Sequence, residues 1–470
     1  MSSPHSMPLS NHELSPPPLK RRKVSPSVAI VEESKVSFDI PPRPPSPTTQ
    51  EESSLSVYSW NINGITPFLP PTTPKITNFL TTPPKSSPAP HPSLRACLRK
   101  WSWPHVVCLQ EVKIARSDYS TQSHLRRIIN TPLDADDDTA SLNRLYTTHF
   151  SLPRDPHNAK GFGGKVHGVC TLVRQDVLPS ESEFNPTSTS SSDSAQDNKD
   201  HALTAATVQE VDWDLEGRVL ILTIPSHRLV IFNVYAVNGT SFHYWSPVTG
   251  RVMGTRHDRK RAFHTLLASH VKAYDEKEWD VMVIGDMNIS RSWRDSFPEL
   301  RMGKEHVENR ADFEKKIIGT TLDDLIGTHK EEKRRDKDDA DENWYGKGLK
   351  MLDVFRFLHL QEDKYTYRPT HKPWGTGGDR VDMALATGFL MPKVEEADIL
   401  DTEEDRLCSD HVPLFVKVFW RERGKARVEK SSNKDSDERQ EPTRGKSLKP
   451  RGRSSNRGRY GGTRGALKRK

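Results

Sequence analysis

The run Val281–Ser290, VMVIGDMNIS, sets four apolar residues directly before a glycine, a carboxylate, a methionine and an amide. A short apolar run bounded by turn chemistry reads as a buried strand. Such a strand does not end on an unpaired carboxylate without cost, because stripping a charge of water in an apolar setting is expensive. Asp286 therefore has to meet partners at the strand end, and Asn288, two residues on, shares its side of the chain.

The same design recurs along the sequence. LSVYSW, HVVCLQ, HGVCTLV, RVLILTI, RLVIFNVY, VDMALA and VPLFVKVFW are further runs rich in Val, Ile and Leu. Near-continuous apolar strands imply sheets covered on both faces. DRKRAFHTLLASHVKAYDE, ADFEKKIIGTTLDDLI and LKMLDVFRFLHL space their apolar residues as helices do. A mixed α/β sandwich of two sheets with outer helices satisfies both patterns. The proline-rich 67–92, the serine-rich 180–201 and the charged 328–348 interrupt the alternation and read as loop insertions.

Hydrophobic residues make up 33% of the 470 and charged residues 28%, with 35 prolines and a mean hydropathy of -0.74. That balance predicts that roughly a quarter of the chain lacks a packed core. Residues 1–53 hold 11 prolines and form the first such segment, 54–421 the ordered domain, and 422–470 a basic Arg/Gly-rich tail. From Arg421 the chain carries 18 Lys+Arg against 6 Asp+Glu, a charge of +12 in a total of +7, so all that precedes it sums to -5. Scattered Cys97, Cys108, Cys170 and Cys408, with no CxxC pair, exclude a zinc framework and indicate reduced thiols. No apolar run reaches the ~20 residues of a membrane span, and no secretory h-region opens the chain, so a soluble protein with no membrane partner is expected. Lys20, Arg21, Arg22 and Lys23, flanked by proline, fit the acidic groove of a nuclear import receptor. The expected location is the nucleus.

Polar residues punctuate the strand ends: Asn61 and Asn63, Gln110 and Glu111, Tyr235 and Asn238, Asp286 and Asn288, Asp379 and Asp382, Asp410 and His411. Converging carboxylates raise one another's pKa unless a cation sits among them. Oxygen donors without cysteine select a hard ion, Mg²⁺ or Mn²⁺. Taken singly, GDMN is most often a turn and CSDH carries little weight; their joint order carries the argument.

That order (SWNINGI, CLQEVKI, WDLEGR, NVYAVN, GDMN, DRVD, CSDH) resembles the endonuclease/exonuclease/phosphatase superfamily, within it the exonuclease III type of abasic-site endonuclease. The resemblance runs from about Leu55 to Trp420 and implies a four-layer α/β sandwich. It implies that Glu111 holds the metal, with Asn63 and Asp410 completing or adjoining the shell and Asp286, Asn288 and His411 among the further candidate ligands. Asp286 would also activate the attacking water, Asn288 fix the phosphate, and Tyr235 donate to a non-bridging oxygen. His411, oriented by Asp382, would stabilise the developing charge, while Asn238 and Asn61 hold the polar network. The metal would stabilise the leaving 3′-oxygen.

The implied function is metal-dependent hydrolysis of DNA in repair: an abasic-site endonuclease with 3′ exonuclease or 3′ phosphodiesterase activity. A tyrosyl-DNA phosphodiesterase-like enzyme, an RNA 3′ exonuclease and a catalytically decayed nucleic-acid-binding protein are the alternatives. One departure stands out. Asp379 occupies the position, three before Asp382, where the repair enzymes usually carry an apolar residue of the abasic-sugar pocket.

Overall fold

The computed structural model describes residues 37–44, 53–70, 91–137, 141–159, 167–177, 206–319 and 349–420. The nuclear-import cluster, the basic tail and nearly all of the three insertions lie outside them.

In chain order the strands are β1 (Ser53–Asn61), β2 (Val106–Gln110), β3 (Tyr146–Ser151), β4 (Val169–Arg174), β5 (Thr207–Glu210), β6 (Val219–Ile224) and β7 (Leu229–Tyr235). A short ribbon, β8 (His243–Trp245) with β9 (Val252–Thr255), precedes β10 (Asp280–Asp286). Then come β11 (Ser296–Phe297), β12 (Leu352–Asp353), β13 (Gly378–Asp379), β14 (Asp382–Ala386), β15 (Val394–Ile399) and β16 (Leu414–Trp420). Two six-stranded sheets result, ordered β15-β16-β1-β2-β4-β3 and β12-β14-β10-β7-β6-β5. Each has one parallel pair, β1/β2 or β7/β10, among antiparallel neighbours.

Strand alternation explains the layers. Met282 and Ile284 of β10, Leu229 and Ile231 of β7, and Leu55 and Val57 of β1 share one core between the sheets. Their alternates Val281, Val283, Val230 and Phe232 pack beneath the helix Arg256–Asp275. Tyr58, Trp60, Val107 and Leu109 pack with residues of the helices Leu94–Lys100 and Tyr119–Ile128. The chain is a four-layer α/β sandwich. Each fully buried Leu, Ile or Val contributes about 1.5–3 kcal/mol, which is why both faces of the strands are apolar.

Two expectations change. Residues 349–360 are not one helix: Leu352–Asp353 is an edge strand on β14, and only Val354–Leu358 is helical. Asp353 accounts for the break, because its carboxylate accepts from the Arg356 N–H and pairs with Arg380 at 2.7 Å and Arg291 at 2.9 Å. Within 1–53, residues 37–44 pack on the domain. Phe38 stacks on His270 at 4.1 Å, Ile40 is buried in the core under the Arg256–Asp275 helix, and the Trp279 indole donates to the Pro41 carbonyl. Phe38 and Ile40 are apolar enough to outweigh the prolines around them.

Candidate active site

Register builds the site. Asp286, the last residue of β10, pairs with Tyr235, the last of β7, and with Asp382, the first of β14. All three continue the inter-sheet face to its rim, where the core turns polar. On the facing sheet, Asn61 and Gln110 end β1 and β2 in register. A buried polar layer joins the sheets beneath the rim, with Gln110 donating to Asn233 at 2.8 Å and Asn233 to Thr171 at 3.1 Å. Gly285 keeps the strands close: a Cβ there would stand 2.0 Å from the Val234 carbonyl oxygen, and its φ of +140° excludes most side chains.

Asn61 bridges the two sheets. Its amide donates to Asp286 at 3.0 Å and to Glu111 at 3.2 Å. The Asp286 carboxylate accepts from the Asn288 N–H at 2.7 Å, and the Asn288 amide donates to the Ala236 carbonyl at 2.9 Å. Asn63, Glu111, Lys113 and Asn288 all have φ between 51° and 54°. Left-handed backbone at non-glycine residues costs of order 1–3 kcal/mol each and clusters where side chains must be aimed. Here Glu111 and Asn288 reach the cleft wall, and Lys113 pairs with Glu111 and donates to Asn63 behind it.

His411 Nδ1 lies 2.7 Å from Asp382 Oδ2. Three contacts fix the loop that carries it. Ser409 Oγ donates to the Asn61 carbonyl at 2.6 Å and accepts from the His411 N–H at 3.0 Å, while the Trp60 indole donates to the His411 carbonyl at 2.9 Å. Asp382 is aligned in turn by Thr366, whose hydroxyl accepts the Asp382 N–H at 3.0 Å. Burial opposes a charge on His411, but Asp382 outweighs it and raises the imidazole to about 10. Burial and the neighbouring Asp382 push Asp286 up to about 7. Glu111 moves the other way: against burial, Lys113, at 2.9 Å, holds it down to about 2.

Tyr235 is buried in the cleft wall beside the Glu111 carboxylate. Burial and Glu111 raise its phenol well above the ordinary value, so it remains a proton donor. The WDLEGR segment supports it. Arg218 lies 4.8 Å under the ring and donates to the Tyr235 carbonyl at 3.2 Å, while Glu216 holds Arg218 at 2.9 Å and Arg256 at 2.7 Å.

The structure thus brings Glu111, Tyr235, Asn238, Asp286, Asn288, Asp410 and His411 to the walls of one cleft, with Asp382 and Asn61 directly behind. Asn63 stands apart. Its side chain accepts from Lys113 and it is not part of the cleft wall. Lys113 and Ser409 are contacts that strand-end reasoning did not assign; the lysine in QEVK and the serine in CSDH were their signals. Asp379 lines the cleft, accepting from the Ser296 and Ser290 hydroxyls and pairing with Arg301 at 3.5 Å. That wall is polar.

The donor set fits a hard divalent cation. Glu111, Asp286 and Asp410 line the cleft with Asp382 behind them, Lys113 and His411 being the cations paired directly with this set, and no cysteine is among the cleft's lining residues. Asp286, Asp382 and His411 place ligand atoms within 4.8 Å of one another, but the His411–Asp382 hydrogen bond already engages Nδ1 of the imidazole and Oδ2 of the carboxylate. Glu111 and Asp410, both open to the cleft, are the better-suited pair.

The model of the Endonuclease/Exonuclease/phosphatase family matches residues 58–411. The chain belongs to this family. Comparison with curated protein sequences returns no match. Among solved structures, the fold is similar to an AP endonuclease from Archaeoglobus fulgidus at 16% identity, covering 77% of this chain and 98% of that one, with a TM-score of 0.44. It is also similar to the Xenopus laevis APE2 catalytic domain (17%, 77% and 91%, 0.43). A third is the 3′ phosphatase NExo from Neisseria, bound to a product DNA hairpin (15%, 78% and 100%, 0.41). Residues 58–411 run from β1 to His411, so the family match spans every site residue described above.

Proposed function

We propose that the chain is a divalent-metal-dependent DNA phosphodiesterase of repair, acting at abasic sites or at blocked 3′ ends. The observation that carries this reading is the registered edge of Tyr235, Asp286 and Asp382, with His411 held on Asp382. Glu111 and Asp410 would hold Mg²⁺ or Mn²⁺, which when bound stabilises charge on the departing oxygen.

The chain's own groups supply the rest. Asp286, buried and raised toward neutrality, takes the proton of the attacking water. Asn238 holds phosphate oxygens on the open side of the cleft, while Asn288, its amide bonded to the Ala236 carbonyl and at 3.3 Å to Asp286, would fix the phosphate only through the carboxylate it orients. Tyr235 donates its hydroxyl proton to a non-bridging oxygen. His411, charged through Asp382, sets a fixed positive charge where negative charge builds.

The Asp379 wall, with Ser290 and Ser296, offers hydrogen-bond partners instead of apolar surface. This favours 3′-end processing over capture of a bare abasic sugar. Nuclear location through Lys20–Lys23 and a nucleic-acid tether in the tail complete the proposal. Matched oligonucleotides bearing an abasic analogue, a 3′-phosphate, a 3′-phosphoglycolate, a 5′-tyrosyl group or RNA, incubated with Mg²⁺ or EDTA, test it. Release of 3′-blocked ends only with metal is expected. Hydrolysis of none of them, or full activity in EDTA, would overturn it.

A further inference from the structure

The cleft has a second group of lining residues, an arm formed by Lys260, Arg301, His306, Asn309 and Arg310. Lys260, on the helix Arg256–Asp275, is 2% exposed, yet its ammonium reaches the cleft wall. There it donates to the carbonyl oxygens of Asn288 at 2.7 Å and Met287 at 3.5 Å. Among the described residues no carboxylate lies within ion-pair distance of it; Asp286 acts on it only from farther off. A buried ammonium without a paired anion is costly. Two carbonyl dipoles do not neutralise it, and one of its donor positions remains open.

The neighbours deepen the pattern. Asn309, also 2% exposed, lines the same wall, its amide nitrogen held on His257 Nδ1 at 2.7 Å. His306, Arg301 and Arg310 complete this arm. Arg310 donates to the Arg301 carbonyl at 2.8 Å. The one acid on this side, Asp379, is already paired with Arg301. A buried Lys260 with the more open Arg301 and Arg310 on the same cleft wall describes a receptor for an anion.

We propose that this arm binds a second phosphate of the substrate, next to the one cleaved, with Lys260 as its anchoring cation. The inference rests on the phosphodiesterase reading and extends it. Holding the neighbouring phosphate fixes the strand's register, so the scissile phosphorus is presented to Asp286 rather than sliding past it.

The test separates the two claims. In the full-length Asp286→Asn protein, oligonucleotide binding is followed by fluorescence anisotropy at ~0.15 M salt. A neutral methylphosphonate is placed at each linkage in turn, and the ends are left with or without a terminal phosphate. One linkage, or one terminal phosphate, should cost about 10-fold in affinity when neutralised or removed. Adding Lys260→Met should cost about as much and make that position indifferent, while Lys260→Arg keeps the sensitivity. Lys260→Met removes an unpaired buried charge, so it should melt no lower than its parent.

Undiminished sensitivity at that position in the Lys260→Met protein would overturn the proposal, as would no sensitive position in the parent. Sensitivity at an internal linkage identifies a backbone phosphate, and at an end a terminal one. Hydrolysis by the wild-type chain is read separately. Coupled binding without hydrolysis would sink the phosphodiesterase reading and leave the subsite standing.

Discussion

His411 and Asp382 meet at 2.7 Å across the buried end of the cleft, with the carboxylate on a sheet strand and the imidazole on a loop pinned to the opposite sheet. The pair can act only as a unit. Asp382→Ala and His411→Ala should each lower kcat/KM on the order of 10²-fold, and the double variant should be no worse than the worse single one. Steady-state rates of the three variants decide it; penalties that add in full would contradict the pairing.

Asp286 and Glu111 should separate by metal response. Asp286→Asn should lose ~10²-fold or more in kcat at any metal concentration, since general-base work contributes 10²–10⁴. Glu111→Ala removes a carboxylate open to the cleft, and raising Mg²⁺ or Mn²⁺ should recover part of its rate. Rescue of the first but not the second would reverse the assignments.

Gly285→Ala tests the register itself. Its Cβ would stand 2.0 Å from the Val234 carbonyl oxygen, so β7 and β10 must move apart. A loss of about 3 kcal/mol or more in urea unfolding is expected, together with lost activity. A variant of unchanged stability would mean that the two strands are less tightly joined than their pairing indicates.

Acid should unfold the protein through its buried ion pairs. Burial works against ionised Asp353 and Glu216, but Arg380 and Arg291 hold the first, and Arg218 and Arg256 the second, well below the usual carboxylate range. A depressed folded pKa stabilises above the unfolded value, about 4, and that contribution is lost as the pH falls from there toward the folded value. Urea midpoints should therefore hold between pH 7 and 5 and fall steeply below pH 4. Arg380→Met should cost about 3–5 kcal/mol at pH 7 and flatten part of the acid slope.

Strands were legible because both of their faces are apolar, and the polar strand ends gave most of the cleft. Their register was not legible: nothing in VMVIGDMN states that Asp286 lies level with Tyr235 and Asp382. Lys260 was hidden for a different reason. It stands in RHDRKR, a charged run that reads as a solvated helix face, and only the packing of that helix over β10 shows two of its cations, Arg259 and Lys260, buried. The same blindness covered Phe38 and Ile40, whose apolar character is diluted by prolines on one side.

Tail removal tests electrostatics that lie outside the described residues. From Pro442 to Lys470 there are 11 Lys+Arg and no acid, with five Arg-Gly dipeptides in the wider tail. Truncation after Trp420 should raise KM at ~0.15 M salt, leave kcat nearly unchanged and flatten the salt dependence of binding. An unchanged salt slope would leave the tail with no role in holding DNA.

The Phe38–Pro41 stretch sets where this enzyme can be cut. A fragment begun at Ser53 keeps every strand and every cleft residue, yet strips the cover from His270 and Trp279. It would be soluble only by hiding that surface against a second copy, and light scattering should find it self-associated where a fragment begun at residue 36 is monodisperse. Limited proteolysis should show the same border, with the peptide that carries Phe38 and Ile40 staying with the body until denaturant is added.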